Sequence, residues 1–443
     1  MATPAGSTSP HRSGKTGDGS LFSGSRKKGE PSPFLHLILL LFLLACVPAA
    51  EAESVLVGAA KVELALPPHP PLAGYSRRQG KPSTGIHDPV FVRAVVIKRP
   101  PLSIAIVSCD LLIVDEHLTA AVQRELTARQ LTFAPLLLAA THTHSGPGAY
   151  GRKFLEKLSM GHFDPAVFRG IVSTIVQALE QASRDMQPAM MDIGHVVTRG
   201  LVQNRMREDG VIDQELSVVA FTRNQDPVAV LVNFAAHPTT LGASNRQLSA
   251  DYPGVVSRAV EAQWPQAVCL FLAGAVADQA PVKRGEGFEK SEWLGQQLAE
   301  PTVEFLRASR STAIEGLVGA QQAMPLSPAR MRIGPIRLPS WIGGAFVDDD
   351  ATLTVLWIGR AVVIGTPCDL SAELGFELKQ FARARGDEPL VVSFANDYIG
   401  YCLSAQAYRS KSYEATMAFN GPDTGDRIIA QLKQMLEALS SHP

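Results

Sequence analysis

Pro135-Leu136-Leu137-Leu138-Ala139-Ala140 runs directly into Thr141-His142-Thr143-His144-Ser145-Gly146-Pro147-Gly148, and the change of character at residue 141 organises the reading of the whole chain. A short apolar run bounded by a loop-forming Ser-Gly-Pro-Gly tract reads as a buried strand, with two histidines at its end rather than in its middle. On an extended chain residues two apart point to the same side, so both imidazoles are expected to face one target. The placement recurs. Asn233-Phe234-Ala235-Ala236-His237-Pro238 closes the run Val228–Phe234, Thr366-Pro367-Cys368-Asp369 follows Ala361–Ile364, and Asn396-Asp397-Tyr398-Ile399-Gly400-Tyr401 follows Leu390–Phe394. One His-x-His pair is a weak signal, but four such segments at strand ends read as one split metal site. Zinc accepts imidazole and carboxylate and, in catalytic sites, keeps a position open for water; two histidines, a carboxylate and a phenol supply such a set.

Working outward, the runs Phe91–Ile97, Ser103–Ser108, Met190–Val197, Leu216–Phe221, Val268–Leu272 and Leu353–Ile358 read as further strands. Asp115–Gln130, Ala166–Met186, Tyr252–Trp264, Leu370–Ala384 and Asp426–Leu439 carry apolar residues at three- and four-residue intervals and read as helices. Together they predict an α/β fold of mixed β-sheet flanked by helices, with residues 53–443 forming a single catalytic domain. The breaks Arg223–Pro227 and Gly359-Arg360 are tight turns, so some neighbouring strands are antiparallel. Pro325–Asp350, with four prolines and Leu338, Trp341, Ile342 and Phe346, reads either as a long surface loop or as an apolar rim that receives a greasy substrate or touches a membrane surface.

The first 52 residues differ from the rest. A Ser/Gly/Lys/Arg-rich opening, the apolar run Phe34–Ala45 and the small residues Ala50 and Ala52 predict an export signal, because the run is shorter than the ~20 residues a spanning helix needs. Cleavage after Ala52 and a lipoprotein-type cleavage before Cys46 both fit, with an uncleaved membrane anchor as the lesser alternative, and all three put the body of the protein outside the cytoplasm. The segment holds five basic and three acidic residues, which leaves the remainder at −3. A near-neutral body without basic runs has no electrostatic footprint for nucleic acid. Cys109, Cys269, Cys368 and Cys402 lack the paired spacing of a cysteine zinc site or a dense disulfide framework.

These segments resemble the neutral (non-lysosomal) ceramidases, a family that hydrolyses the amide of N-acylsphingosines at a zinc centre. Thr141–Gly148 and Asn233–Pro238 resemble its two histidine segments, and Asn204-Arg205 its Asn-Arg pair. Asn396-x-Tyr398-x-x-Tyr401 and Tyr413-Glu414-Ala415 are similar to its tyrosine elements, and the similarity runs from about Val55 onward. The resemblance implies zinc ligands at His142, His237, Asp369 and Tyr401, with water at the zinc attacking the amide carbonyl. It implies His144 beside the metal as proton shuttle or oxyanion stabiliser, Arg205 and Tyr413 as donors to developing charge or the substrate head, and Asp278 orienting a ligating histidine. From the residues alone, Asp369 reads equally well as a helix N-cap and Arg205 as a surface ion pair with its acidic neighbours.

Two positions depart from the family pattern. Pro367-Cys368-Asp369 stands where the family has Pro-Gly-Glu, and Ala277-Asp278-Gln279-Ala280-Pro281 replaces Gly-Asp-Val-Ser-Pro, so a serine nucleophile at position 280 is excluded. A further β-sandwich domain usual in the family is not expected after Gly421. The expected absence of that domain weakens the ceramide assignment specifically, while the resemblance implies an N-acylsphingosine or similar N-acyl lipid as substrate; hydrolysis of another amide or ester, or a silent binding protein of the same fold, are the alternatives.

Overall fold

Three sheets meet around one apolar core, and each contributes the carboxyl end of a parallel strand pair to the same place. The computed structural model describes residues 54–330, 332–333, 336–337, 339–343, 347 and 349–439. The first sheet contains β1 (Leu56–Glu63), β2 (Phe91–Arg99), β3 (Leu102–Cys109) and β4 (Leu136–Ala140), in the order β4-β3-β2-β1. The second contains β5 (Met190–Val197), β6 (Glu215–Arg223), β7 (Asp226–Phe234) and β8 (Val268–Ala273), in the order β8-β7-β6-β5. Further strands include β9 (Leu317–Pro325), β10 (Asp350–Ile358), β11 (Ala361–Gly365), β12 (Asp369–Leu370), β13 (Glu388–Val392) and β14 (Tyr401–Cys402). Of these, β9-β10-β11-β13 form the third sheet and β12-β14 a parallel two-residue pair.

The expectation of mixed sheets flanked by helices holds. β6–β7 and β10–β11 are hairpins, whereas β3–β4, β7–β8 and β11–β13 are parallel. At the β6–β7 turn both Asn224 and Gln225 take positive φ (53° and 70°), and the β10–β11 turn places Gly359 at φ 58°. Two consecutive positive φ values give the turn whose twist matches a hairpin.

The inner faces of all three sheets share one cluster, with Ile104, Ile106 and Leu137 from the first, Phe221 and Leu231 from the second, and Leu356, Val363 and Leu390 from the third. Burying each large aliphatic or aromatic side chain contributes about 1.5–3 kcal/mol, so a core shared by three sheets ties them into one unit. Helices include α1 (Glu116–Ala128), α2 (Phe154–Met160), α3 (Pro165–Arg184), α4 (Asp251–Gln263), α5 (Glu289–Ala308), α6 (Ala372–Arg383), α7 (Tyr413–Thr416) and α8 (Thr424–Leu439), of which the short α2 and α7 line a cavity and the others cover outer faces of the sheets. Leu118, Ile175, Val256 and Leu298 of α1, α3, α4 and α5 face the first two sheets, and Leu378 and Leu432 of α6 and α8 face the third. Among the described residues no helix is long and apolar enough to cross a membrane. The expected export signal, with Cys46, lies outside the described residues, as do Leu338 and Phe346 of the 325–350 tract.

Candidate metal centre

Each ligand-bearing segment begins where a parallel strand ends. β4 hands on to Thr141–His144, β7 to Ala235–His237, β11 to Thr366–Asp369 and β13 to Phe394–Tyr401. Main-chain bonds lock these exits together: Asn396 N–H donates to Leu138 O at 2.8 Å, Ser393 N–H to Ala273 O at 2.9 Å and Ala395 N–H to Thr366 O at 3.0 Å. Asn233 of the second histidine segment adds two side-chain bonds of 2.9 Å, to Leu272 O and Val391 O, pinning the second sheet to the third.

The chain leaves the strand at Ala140, and His142 sits at φ 63°, so the two histidines do not converge by the expected extended alternation. His142 is held in this strained conformation by its ring, which stacks on Phe394 at 3.8 Å and 4°. Phe394 and Asn396 also take positive φ, a concentration of backbone strain of the kind found at working sites.

Three imidazoles meet through Nε2. The separations are 3.0 Å for His142–His237, 3.2 Å for His142–His144 and 3.1 Å for His144–His237. Their tautomers follow from the other nitrogen, because Nδ1 of each faces a main-chain carbonyl: Leu112 O at 2.6 Å, Gly74 O at 3.2 Å and Val276 O at 3.4 Å for His142, His144 and His237. A carbonyl only accepts, so each Nδ1 carries the proton and each Nε2 presents a lone pair. Burial holds all three rings neutral, pushing the His142 pKa down to about 3 and those of His144 and His237 well below the usual range. Three lone pairs at this separation repel one another and are satisfied by a cation between them, with bonds of about 2.0–2.1 Å for zinc.

Asp369 completes the donor set. Its Oδ1 lies 3.7 Å from His142 Nε2 and 3.9 Å from His237 Nδ1, is fully buried and accepts no hydrogen bond. Burial raises the Asp369 pKa to about 7 against the opposing pull of Tyr398 and Arg205. An orphaned buried carboxylate oxygen beside three aligned lone pairs fits a divalent ion. The N-cap alternative for Asp369 does not hold: it pairs with Tyr401 across β12–β14, and Ser371 occupies the cap position of α6.

Around Asp369 the network is made of side chains. Tyr398 O–H donates to Asp369 Oδ2 at 2.8 Å, Arg205 Nη2 donates to Tyr401 Oη at 3.0 Å, and Arg205 Nε pairs with Glu414 at 2.9 Å. Arg205 is therefore tied to Glu414 rather than to its sequence neighbours. Tyr413 is 63% exposed and its ring meets Tyr401 edge-on at 5.9 Å. The structure thus brings His142, His144, His237, Asp369, Tyr401, Arg205 and Tyr413 to one place.

Two expectations need correction. Asp278 does not reach an imidazole: Oδ2 accepts from Asn204 at 2.7 Å and Oδ1 from Ala372 N–H at 2.9 Å, since α6 begins directly after β12 and needs an acceptor at its N-terminus. His144 presents an Nε2 lone pair, so it has no proton there to offer an oxyanion, and its Nε2 joins the converging set instead. Ala280, where the family serine is missing, pairs with Gln203 in a short ladder and does not line the cavity described below.

Several contributors were not legible in the sequence. Nothing in Asn396-x-Tyr398-x-x-Tyr401 as a sequence pattern assigns Tyr398 its bond to Asp369. Arg78 is buried, its guanidinium donating to Ala73 O at 2.7 Å, His144 O at 2.6 Å and Asn245 O at 2.9 Å, which fixes the His144 segment. Gly74 takes φ 102°, and a Cβ there would meet His144 Nδ1 at 2.6 Å, so only glycine allows the imidazole to reach its carbonyl.

The cluster opens into a cavity of about 730 Å³ lined by His142, His144 and His237 together with residues of α2 and the tyrosine segments.

The neutral/alkaline non-lysosomal ceramidase N-terminal family model matches residues 56–286. The neutral ceramidase of Pseudomonas aeruginosa is 30% identical over 204 residues, covering 42% of this chain and 30% of that protein. The neutral ceramidase of Mycobacterium tuberculosis is 27% identical over 402 residues, covering 68% and 63%. The crystal structure of the Pseudomonas aeruginosa neutral ceramidase shares the fold, with a TM-score of 0.78 over 87% of this chain and 74% of that one at 21% identity. The alignments span less than two thirds of the length of these curated relatives. With the sequence match and the shared fold together, the chain belongs to the neutral/alkaline non-lysosomal ceramidase family.

Proposed function

We propose that the chain is a zinc-dependent amidohydrolase that cleaves N-acylsphingosine or a similar N-acyl lipid. The observation that carries this reading is the convergence of three imidazole Nε2 atoms on one point beside the orphaned Asp369 oxygen, in a large cavity. His142, His144, His237 and Asp369 would hold the ion, with Tyr401 next to Asp369. A zinc ion bound there supplies Lewis acidity toward the amide carbonyl and lowers the pKa of water.

The rest is the work of the chain. Leu112, Ile113, Leu155 and Met160 line the cavity and shelter an acyl chain from water. Arg205, held by Glu414 and Tyr401, keeps a guanidinium beside the histidines, where it donates to negative charge as it develops on the carbonyl oxygen. Hydrolysis breaks the C–N bond and forms a C–O bond with water. The amine nitrogen takes up one proton from that water as the C–N bond breaks and, near neutral pH, the second, leaving a carboxylate and an ammonium.

Delivery outside the cytoplasm by residues 1–52 and approach of the substrate from a lipid surface belong to the same proposal. Exposed Leu158 and Tyr413 at the cavity support the latter. The measured N-terminus of the exported protein and flotation with lipid vesicles test the two points. For the activity, purified protein is expected to contain about one zinc per chain and to release fatty acid from N-acylsphingosine, with both lost in His237→Ala. Protein that retains neither zinc nor hydrolysis after zinc addition would sink the proposal.

A further inference from the structure

The lining of the cavity is of two kinds. Leu155, Leu158 and Met160 of α2, with Met417 and Phe419, supply apolar surface, whereas Arg77, Arg205 and Lys283 supply cations. The charges are unequally matched. Arg205 is paired with Glu414. The lining carboxylate, Glu156, accepts from Lys153 N–H at 2.7 Å, and burial together with Asp115 raises its pKa to about 7, so it carries only part of a negative charge near neutral pH against the cations of the cavity. Arg77 and Lys283 make no hydrogen bond or ion pair among the described residues.

Lys283 feels an attraction from Asp251, yet that carboxylate is buried and already takes bonds from Thr240, from Leu241 N–H at 3.2 Å and from Tyr252 N–H at 2.7 Å. Partial burial and the nearby Lys290 and Arg205 disfavour the Lys283 charge. A cation in such a position is a site of positive potential focused by low-dielectric walls. A neutral head group leaves that potential unmatched, and an anion relieves it through a charge-assisted bond. Since the acyl chain takes the apolar surface, the anion must lie on the amine side of the amide.

Resting on the amidohydrolase reading above, we propose that the cavity selects N-acyl amides whose amine side bears a carboxylate, the chemistry of N-acyl amino acids, with Lys283 as the specificity-determining residue and Arg77 assisting.

The zinc-loaded full chain is assayed on N-dodecanoylglycine and N-dodecanoylethanolamine, which share an acyl chain and differ in charge, with N-dodecanoylsphingosine alongside. The glycine amide is expected to be preferred at least tenfold in kcat/KM. In Lys283→Met the glycine-to-ethanolamine ratio should fall at least tenfold, mainly through KM, and Lys283→Arg should restore it. Equal kcat/KM for the two amides in the unsubstituted protein, or an unchanged ratio in Lys283→Met, overturns the inference while leaving the amidohydrolase reading intact. If none of the three is cleaved with zinc bound, the amidohydrolase reading falls. Calorimetric binding of the two uncleaved amides then decides the head-group preference, equal affinity overturning it and tighter binding of the glycine amide supporting it.

Discussion

The histidine half and the acid half of the site are built from different materials. Each imidazole is aimed by a main-chain carbonyl, Leu112 O, Gly74 O or Val276 O, and those carbonyls are placed by the exits of buried strands. Asp369 is aimed by side chains instead, through Tyr398, with Arg205 bonded to Tyr401 and Glu414 bonded to Arg205. The main-chain half changes only if a ligand or the backbone beneath it changes, whereas the side-chain half can be altered one link at a time. Both departures from the family pattern beside the converging imidazoles, Cys368 and Asp369, fall in the side-chain half.

The sharpest way to break this comparison is to remove a member of the histidine half. His142→Ala is expected to weaken zinc retention by more than the ~10²-fold upper end typical of an outer partner, and to abolish hydrolysis. Equilibrium dialysis against a chelator measures it, and near-normal retention would contradict the convergent site. Next in size is Tyr398→Phe, which deletes one link of the acid half. A loss of about 10–100-fold in zinc affinity is expected with the fold intact, read by the same dialysis and by circular dichroism.

The two halves also predict pH signatures of opposite sign. Asp369 has a folded pKa near 7, above its ordinary value, so the metal-free fold binds the extra proton and its contribution to stability is complete below about pH 4. That contribution is lost as pH rises through about 7. The three imidazoles act in the opposite sense, because burial holds their pKa values below the ordinary value and the metal-free fold loses stability as pH falls below about 6.5. Melting temperatures of chelated protein should therefore rise from about pH 4 to 6.5, and Asp369→Asn, which removes the opposing contribution, should steepen that rise; an unchanged slope would remove Asp369 as a contributor. The smallest effect is expected from Gly74→Ala. Its positive φ costs a residue with Cβ about 1–2 kcal/mol, and the methyl group pushes on His144, so a modest drop in melting temperature should accompany weaker zinc binding. A normal melting temperature with normal zinc binding would show that the loop adapts.

Much of this was legible because strands and helices announce themselves by period. The runs Met190–Val197 and Val268–Leu272 and the helix Asp115–Gln130 fall on observed elements, with Asp115 accepting from Leu118 N–H at 2.8 Å as the helix cap. Helix α5 was not anticipated, and it carries Pro301 in its interior. The first strand, Leu56–Glu63, was also missed, since Lys61 and Glu63 break its apolar run. In the site, residue types at strand ends pointed to the right segments, but period says nothing about backbone that leaves a strand. His142 turns through positive φ, which is why the place of His144 among the converging nitrogens was not foreseen. Arg78 and Gly74 act through main-chain carbonyls, and neither a positive charge nor a glycine in a loop signals that by itself.

The exits of three parallel strand pairs converge on one point, so the donors there are drawn from residues as far apart as His142 and Asp369. An unfolded chain offers no local chelate of that composition, which makes ion capture all-or-none with assembly of the sheets. Zinc concentration should then act as a thermostat on the fold, raising the melting temperature logarithmically with free ion, while a chelator lowers the barrier to proteolysis of the whole body at once.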